Sequence, residues 1–223
     1  MRVPVTTLND GHDFPLLGLG TYKLRGEDVE RVVRTALELG YRHIDTASFY
    51  DNEVEVGKAI NAAIAAGDVT REELFITTKL WNDDQQRAGE AYQESLKRLD
   101  LEFLDLYLVH WPVPQQGTYV AAFEQITQLQ GLGQLQSVGV ANFYEEVLDE
   151  VIARTGVTPA LNQVELHAGF TQPELRAYHA EHNIVTEAWA PLARGENFDA
   201  PEIVAIADKH GATPAQVSLA YLM

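Results

Sequence analysis

Apolar positions along this chain alternate between two rhythms. Short runs rich in Val, Ile and Leu recur at intervals of roughly thirty residues, and each is followed by a stretch whose apolar residues fall three and four apart. That alternation predicts strand–helix units on a parallel sheet. Segment 2–15 predicts a hairpin, because Asn9-Asp10-Gly11 is a turn signal flanked by Val3, Val5 and Leu8 before it and Phe14 after it. Strands are expected at 16–21, 41–46, 74–80, 104–110, 137–141, 161–166 and 184–188. Helices are expected at 27–39, 53–65, 89–99, 119–129, 145–155, 172–181 and 201–209. Within 27–39, Val29, Val32, Val33, Ala36 and Leu37 share one face, and Gly40 stands where a C-cap glycine belongs. Gly211 ends the 201–209 helix. Thr213-Pro214 then opens another, with Thr as N-cap and Pro at the first helical position.

Seven strands follow the hairpin, whereas eight strand–helix units make the common closed barrel. The expected class is therefore α/β: a (β/α)₈ TIM barrel preceded by a β-hairpin, with its eighth strand and last helix missing. Residues 1–223 read as one domain. An open barrel exposes two unpaired strand edges, so the sequence is expected to be part of a longer chain.

Composition narrows the function classes. Hydrophobic residues make up 46% and charged residues 22%, ordinary for a folded domain. The formal charge of −17 repels phosphates and anionic lipid, which sets nucleic acid and membrane aside as partners. No run is long and apolar enough to span a bilayer, and residues 1–10 lack a signal-peptide pattern. With no cysteine, disulfides and thiolate chemistry are excluded, and a cytoplasmic location is expected. Gly18-Leu-Gly20 and Gly131-Leu-Gly133 fail as dinucleotide fingerprints, since Lys23 and Gln136 stand at the third glycine position. His179 and His182, three apart on a helix, read as solvent-facing, and no metal site is expected.

Chemically capable residues gather where strands end. Asp45 closes the second strand, Lys79 the third and His110 the fourth; Asn142 follows the fifth, Gln163 lies late in the sixth and Trp189 closes the seventh. Singly, each has an ordinary structural reading: an ion pair, a core histidine, a turn former. In a parallel barrel all six face one mouth, and together they read as a site. Tyr50 lies five residues after Asp45. A phenol ionises near ~10, and a neighbouring ammonium lowers that value. Lys79 is expected to supply the ammonium, Asp45 to hold Lys79, and His110 to orient a carbonyl oxygen. The result is a general acid aimed at a carbonyl that accepts hydride from elsewhere.

Five ordered segments carry a family resemblance. They are Asp45-Thr-Ala-Ser-Phe-Tyr50-Asp-Asn-Glu53, Ile76-Thr-Thr-Lys79-Leu-Trp81, Leu108-Val-His110-Trp-Pro112, Ser137-Val-Gly-Val-Ala-Asn142-Phe143 and Asn162-Gln163-Val-Glu165. In this order they resemble the aldo-keto reductases. The wording Glu187-Ala-Trp189-Ala-Pro-Leu192 resembles the bacterial branch that includes 2,5-diketo-D-gluconate reductases. The resemblance implies a catalytic tetrad of Asp45, Tyr50, Lys79 and His110, and NADPH as hydride donor. It implies that Asn142 and Gln163, with Asp45 beside them, hold the nicotinamide carboxamide and that Trp189 stacks on the ring. Gly20, Thr21 and Tyr22 would line the mouth near the ring, and Pro191, Leu192, Ala193 and Arg194 would follow the pyrophosphate. Tyr22, Phe49, Trp81, His110 and Trp111 would wall a pocket for a small carbonyl substrate, diketo sugar acids included. A monomer is expected.

Two departures stand out. Ala141 occupies a position where the family usually has Ser, which implies that one hydrogen bond to the carboxamide, worth about 1 kcal/mol, is absent or made by backbone instead, weakening cofactor binding without abolishing it. The basic segment that grips the adenosine 2′-phosphate in the family has no counterpart in these 223 residues. A non-catalytic NADP(H)-binding regulator and an inert fragment of a reductase are the alternative readings.

Overall fold

The computed structural model describes residues 3–223. Strands β1 (Val5–Thr7) and β2 (Asp13–Pro15) form the expected antiparallel hairpin. Residue 2, the first of the expected hairpin segment, lies outside the described residues. The turn is closed by Leu8 N–H to His12 O at 2.8 Å and Gly11 N–H to Leu8 O at 3.0 Å.

Seven parallel strands follow in sequence order: β3 (Gly18–Gly20), β4 (His43–Asp45), β5 (Phe75–Leu80), β6 (Leu104–Val109), β7 (Leu135–Ala141), β8 (Leu161–Glu165) and β9 (Val185–Trp189). Helices α1 (Glu27–Glu38), α2 (Glu53–Ala66), α3 (Ala88–Leu99), α4 (Tyr119–Gly131), α5 (Glu145–Thr155) and α6 (Pro173–Glu181) connect successive strands. Helices α7 (Pro201–His210) and α8 (Pro214–Leu222) follow β9. Thr213 caps α8 as expected: its hydroxyl accepts from Gln216 N–H, and the Gln216 side chain returns a bond to Thr213 N–H.

The seven-stranded sheet is strongly curved into a nearly closed barrel. Side chains from strands that are not neighbours meet inside it. Gln163 of β8 reaches Asp45 of β4 at 2.9 Å, and Glu187 of β9 lies 4.0 Å from His43 of β4. Among the described residues, strands β3 and β9 each pair on one side only.

Two apolar cores follow from this curvature. The larger lies between the strands and the surrounding helices and includes Val33, Ile60, Ile76, Tyr107, Phe123 and Leu148. The smaller fills the barrel interior with Leu106, Leu108, Ala141 and Leu161, and Leu8 and Phe14 of the hairpin close it from below. Phe14 meets Phe75 edge-on, with ring centroids 5.1 Å apart. The hairpin is thus a plug beneath the barrel, opposite the strand ends that carry the polar groups. At Gly57 of α2 an added Cβ would lie 2.2 Å from the Leu99 carbonyl oxygen, so glycine there lets α2 and α3 pack backbone to side (α3 ending at Leu99).

Candidate active site

Each site side chain is delivered by a strand end or the turn just beyond it. Residues 48–50 form a single 3₁₀ turn after β4, with Ala47 extended before it and Asp51 left-handed after it. The turn is tied on both sides. Ser48 Oγ donates to Lys79 O at 3.0 Å, and Thr46 Oγ1 donates to Asn52 Oδ1 at 2.7 Å. Asn52 Nδ2 donates in turn to Thr21 O at 2.9 Å. Glu53, buried at the start of α2, accepts from Thr78 Oγ1 at 2.6 Å and from Arg98 Nε at 2.6 Å. These bonds fix Tyr50 relative to Lys79, the neighbour of Thr78.

The result is a compact charged group. Lys79 Nζ is fully buried and donates to Asp45 Oδ1 at 2.5 Å and to Thr46 O at 2.9 Å, and it lies 3.4 Å from Tyr50 Oη. The Tyr50 and His110 rings meet edge-on at 5.8 Å between centroids. The four residues singled out from the strand ends therefore share one place.

The electrostatics differ from expectation in one respect. Burial raises the Tyr50 phenol above its usual value and outweighs the lowering by Lys79; Asp45 and Glu187 add to the rise. The expected net depression is corrected accordingly. The ammonium is present, but desolvation of a phenolate next to two carboxyl groups is the larger effect. Burial by itself would push Lys79 down, but Asp45 and the Tyr50 oxygen more than offset this and hold it charged. Burial, with Lys79 second, takes His110 down to about 3, so its imidazole is neutral. His110 Nδ1 is buried without a partner among the described residues, which leaves Nε2 as the nitrogen available to a ligand.

A cleft of about 1200 Å³ opens over this group. Tyr22, Phe49, Trp81, His110 and Trp111 all line it, with Phe49 stacked on Trp81 at 3.8 Å. Gly20, Asp45, Tyr50, Asn142, Gln163, Trp189, Pro191 and Arg194 also face it. Thr21, Leu192 and Ala193 do not. Thr21 is buried, with its hydroxyl donating to Asp45 O at 3.0 Å, and Ala193 is buried within the loop that follows β9. Strain collects at the rim. Val113, Asn142, Ala190, Ala193 and Arg194 all have positive φ, and for β-branched Val113 this is a rare conformation. Ala141 packs inside the barrel with Leu106 and Leu161 and does not line the cleft.

The two carboxamide side chains have complementary free groups. Both Nε2 hydrogens of Gln163 are engaged, one by Asp45 Oδ2 at 2.9 Å and one by Glu187 Oε2 at 2.8 Å, so only its carbonyl oxygen remains. Asn142 accepts from Trp189 Nε1 at 2.8 Å and donates to His110 O at 3.0 Å, which leaves one N–H. One free acceptor and one free donor on a common cleft match a primary carboxamide.

Glu187 escaped the sequence reading. It sits two residues before Trp189 on the same face of a strand, the one ionisable residue in the run Ile184 to Leu192, and that is the available signal. Burial, followed by the Asp45 charge, pushes it up to about 8. His43, Asp45 and Glu187 offer ligand atoms within 4.8 Å of one another. Both Asp45 oxygens are already engaged, and Lys79 supplies the cation of the group. The reading of His179 as solvent-facing is corrected. It is buried, and its ring nitrogens pair with Asn162 Nδ2 at 2.9 Å and Thr186 Oγ1 at 2.8 Å, tying α6 to β8 and β9. His182 is half-buried and stacks on Tyr178.

Comparison with known proteins decides the family. The model of the Aldo/keto reductase family matches residues 16–223. The chain belongs to the aldo/keto reductase family. Methylglyoxal reductase DkgA of Salmonella typhimurium is 53% identical over 215 residues, which cover 96% of this chain and 77% of the relative. DkgA of Escherichia coli is 50% identical over the same shares. An aldo/keto reductase from Brucella melitensis superposes with a TM-score of 0.92 at 43% identity, covering 98% of this chain and 83% of that structure. A Bombyx mori aldo-keto reductase in complex with NADP gives 0.89 at 35% identity, covering 98% and 79%. This aldo/keto reductase is thus an oxidoreductase of the bacterial, DkgA-like branch, with the barrel fold of its relatives. Among the described residues no helix is long and apolar enough to cross a membrane.

Proposed function

We propose that this aldo/keto reductase converts aldehydes and ketones to alcohols with NADPH, and that Tyr50 delivers the proton. The observation that carries the reading is the buried Lys79 ammonium, 2.5 Å from Asp45 and 3.4 Å from the Tyr50 hydroxyl, at the floor of an aromatic cleft. NADPH held there would supply the hydride that the carbonyl carbon accepts. Tyr50 gives its proton to the carbonyl oxygen, and Lys79 stabilises the phenolate left behind until water reprotonates it. His110, neutral at physiological pH, donates from Nε2 to the same oxygen and orients it. Asp45 holds the Lys79 charge against burial, which by itself lowers the pKa of the ammonium.

The fit of the cofactor rests on the two free amide groups. Asn142 N–H would meet the carboxamide oxygen and Gln163 Oε1 its NH₂. Trp189, anchored through Nε1, would cover the ring, with Gly20 and Tyr22 beside it, and Pro191 and Arg194 of the strained loop after β9 would run along the pyrophosphate. NADP and NADPH occupy related structures at 35% and 42% identity, which supports a nicotinamide nucleotide here. Tyr22, Phe49, Trp81 and Trp111 form the walls for a small substrate. Methylglyoxal, named in the DkgA relatives, and diketo sugar acids are the first candidates. Residues 1–223 act in this reading as one monomeric domain in the cytoplasm.

The test is Tyr50→Phe, assayed by NADPH oxidation with methylglyoxal and by quenching of tryptophan fluorescence. Turnover is expected to fall by at least about 10²-fold, the usual scale for removing a general acid, while NADPH still binds. Turnover retained in Tyr50→Phe excludes the assignment.

A further inference from the structure

Glu187 has no step in the reaction above, yet it sits within the charge of the site. Its side chain is 16% exposed, and it stands opposite Gln163 in the register of β8 and β9. Gln163 Nε2 bridges it to Asp45, with bonds of 2.8 and 2.9 Å; Asp45 holds Lys79 at 2.5 Å, and Lys79 reaches the Tyr50 oxygen at 3.4 Å. One ammonium thus serves two carboxyl groups and a phenol. With both carboxylates ionised the group already carries a net negative charge, and a phenolate would add a second in the same poorly solvated place.

The other groups around Glu187 do not relieve this. His43 Nδ1 is 4.0 Å away, but burial, the largest effect on it, takes His43 down to about 4, so it stays neutral. His179 of α6 reaches β9 through Thr186 and is also held neutral by burial. Lys23 and Arg194 line the same cleft, and neither forms an ion pair with Glu187.

We propose, on the reading that Tyr50 is the proton donor, that Glu187 is a positioning residue that keeps Tyr50 protonated and so biases the site toward carbonyl reduction over alcohol oxidation. Reduction needs the phenol. Oxidation needs the phenolate, which takes the hydroxyl proton of the alcohol as hydride leaves the same carbon for the oxidised nicotinamide. Glu187 gains its charge as the pH rises through about 8, before Tyr50 begins to ionise. The hold on the phenolic proton therefore tightens under the mildly alkaline conditions that would otherwise favour oxidation.

The experiment follows Tyr50 in the 223-residue chain by ¹³C NMR of protein labelled at tyrosine Cζ, with Tyr50→Phe to assign the signal. Glu187→Gln keeps an acceptor oxygen for Gln163 and removes the charge. Its Tyr50 titration is expected at lower pH than in wild type, and a midpoint lower by about one pH unit means about tenfold more phenolate at a given pH. The ratio of oxidation to reduction kcat at about pH 9 should rise with it. Glu187→Asp, which restores the charge, should bring both readouts back toward wild type. An unmoved titration in Glu187→Gln overturns the proposal. If that variant does not fold, the wild-type signal decides: ionisation of Glu187 should leave a first, small inflection in the Tyr50 resonance near pH 8, and its absence overturns the proposal equally. A wild-type chain that binds NADPH but reduces no carbonyl overturns the reductase reading and the directional bias with it. A Tyr50 titration that still moves in Glu187→Gln would then leave the electrostatic coupling standing, so the two failures are distinct.

Discussion

At the scale of single residues, Lys79 matters most, because it is one cation shared by Asp45, the Tyr50 hydroxyl and, through Gln163, Glu187. Lys79→Met removes the charge that stabilises the phenolate and also leaves Asp45 buried without its partner. We expect kcat/KM to fall by at least about 10²-fold and stability to fall by about 3–5 kcal/mol, the scale for breaking one side of a buried pair. The double variant Lys79→Met/Asp45→Asn should recover much of the stability, read by urea unfolding, and none of the activity. Recovery of both together would show that Lys79 acts only as a structural partner. The identities of Asp45, Tyr50, Lys79 and His110 were legible in the sequence because each lies at the end of a strand or just beyond it. The direction in which the Tyr50 pKa moves was not legible. It depends first on how much water the phenol loses against the opposing pull of Lys79, then on Asp45, and least on Glu187, a residue 137 positions away in the chain.

At the scale of elements, the hydrophobic rhythm placed every strand and helix to within a few residues, since burial on one face is a local pattern. β7 begins two residues before expectation, at Leu135, and β4 is shorter than expected, His43–Asp45. The short 3₁₀ turns, among them Ser48–Tyr50, which carries the phenol, left no periodic signal because one turn is too short to show a period. Packing between helices was also silent. Gly57 looks like a weak point in a helix, but it is where α2 meets the Leu99 backbone. Gly57→Ala improves helix propensity by about 1 kcal/mol, yet it should destabilise the chain by about 1–3 kcal/mol through overpacking. Thermal unfolding measures the sign, and a rise in Tm would refute the close approach. His179 belongs to the same category: on a helical wheel it is one histidine near another, and only the packing of α6 onto the sheet buries it against Asn162 and Thr186.

At the scale of the whole molecule, buried titratable groups link stability to pH in opposing senses. His43, His110 and His179 are taken down to about 4, 3 and 4, chiefly by burial. Their unfolded values lie near ~6.5, so below that pH the unfolded chain binds protons that the folded chain does not. Each therefore costs stability as the pH falls, at up to about 1.4 kcal/mol per pH unit. Glu187 works the other way. Its folded value of about 8 lies above the unfolded one, so its cost is relieved as the pH falls through that range. Glu187→Gln removes this compensation. Its urea midpoint should drop more than that of wild type between about pH 7.5 and about pH 5.5. An equal drop in the two proteins would contradict the burial of an ionisable Glu187.

The sequence alone determined the strand–helix alternation, the hairpin, the parallel sheet and the residue types at the strand ends. All of these are set by neighbours a few positions apart, or by residues that take the same place in every βα unit. Tertiary structure decided what curvature brings together: Gln163 between Asp45 and Glu187, His43 beside Glu187, and the hairpin as a plug under the barrel. It also decided the protonation states. Desolvation and Coulomb forces act through space and depend on how much water the fold excludes, which no local pattern along the chain records.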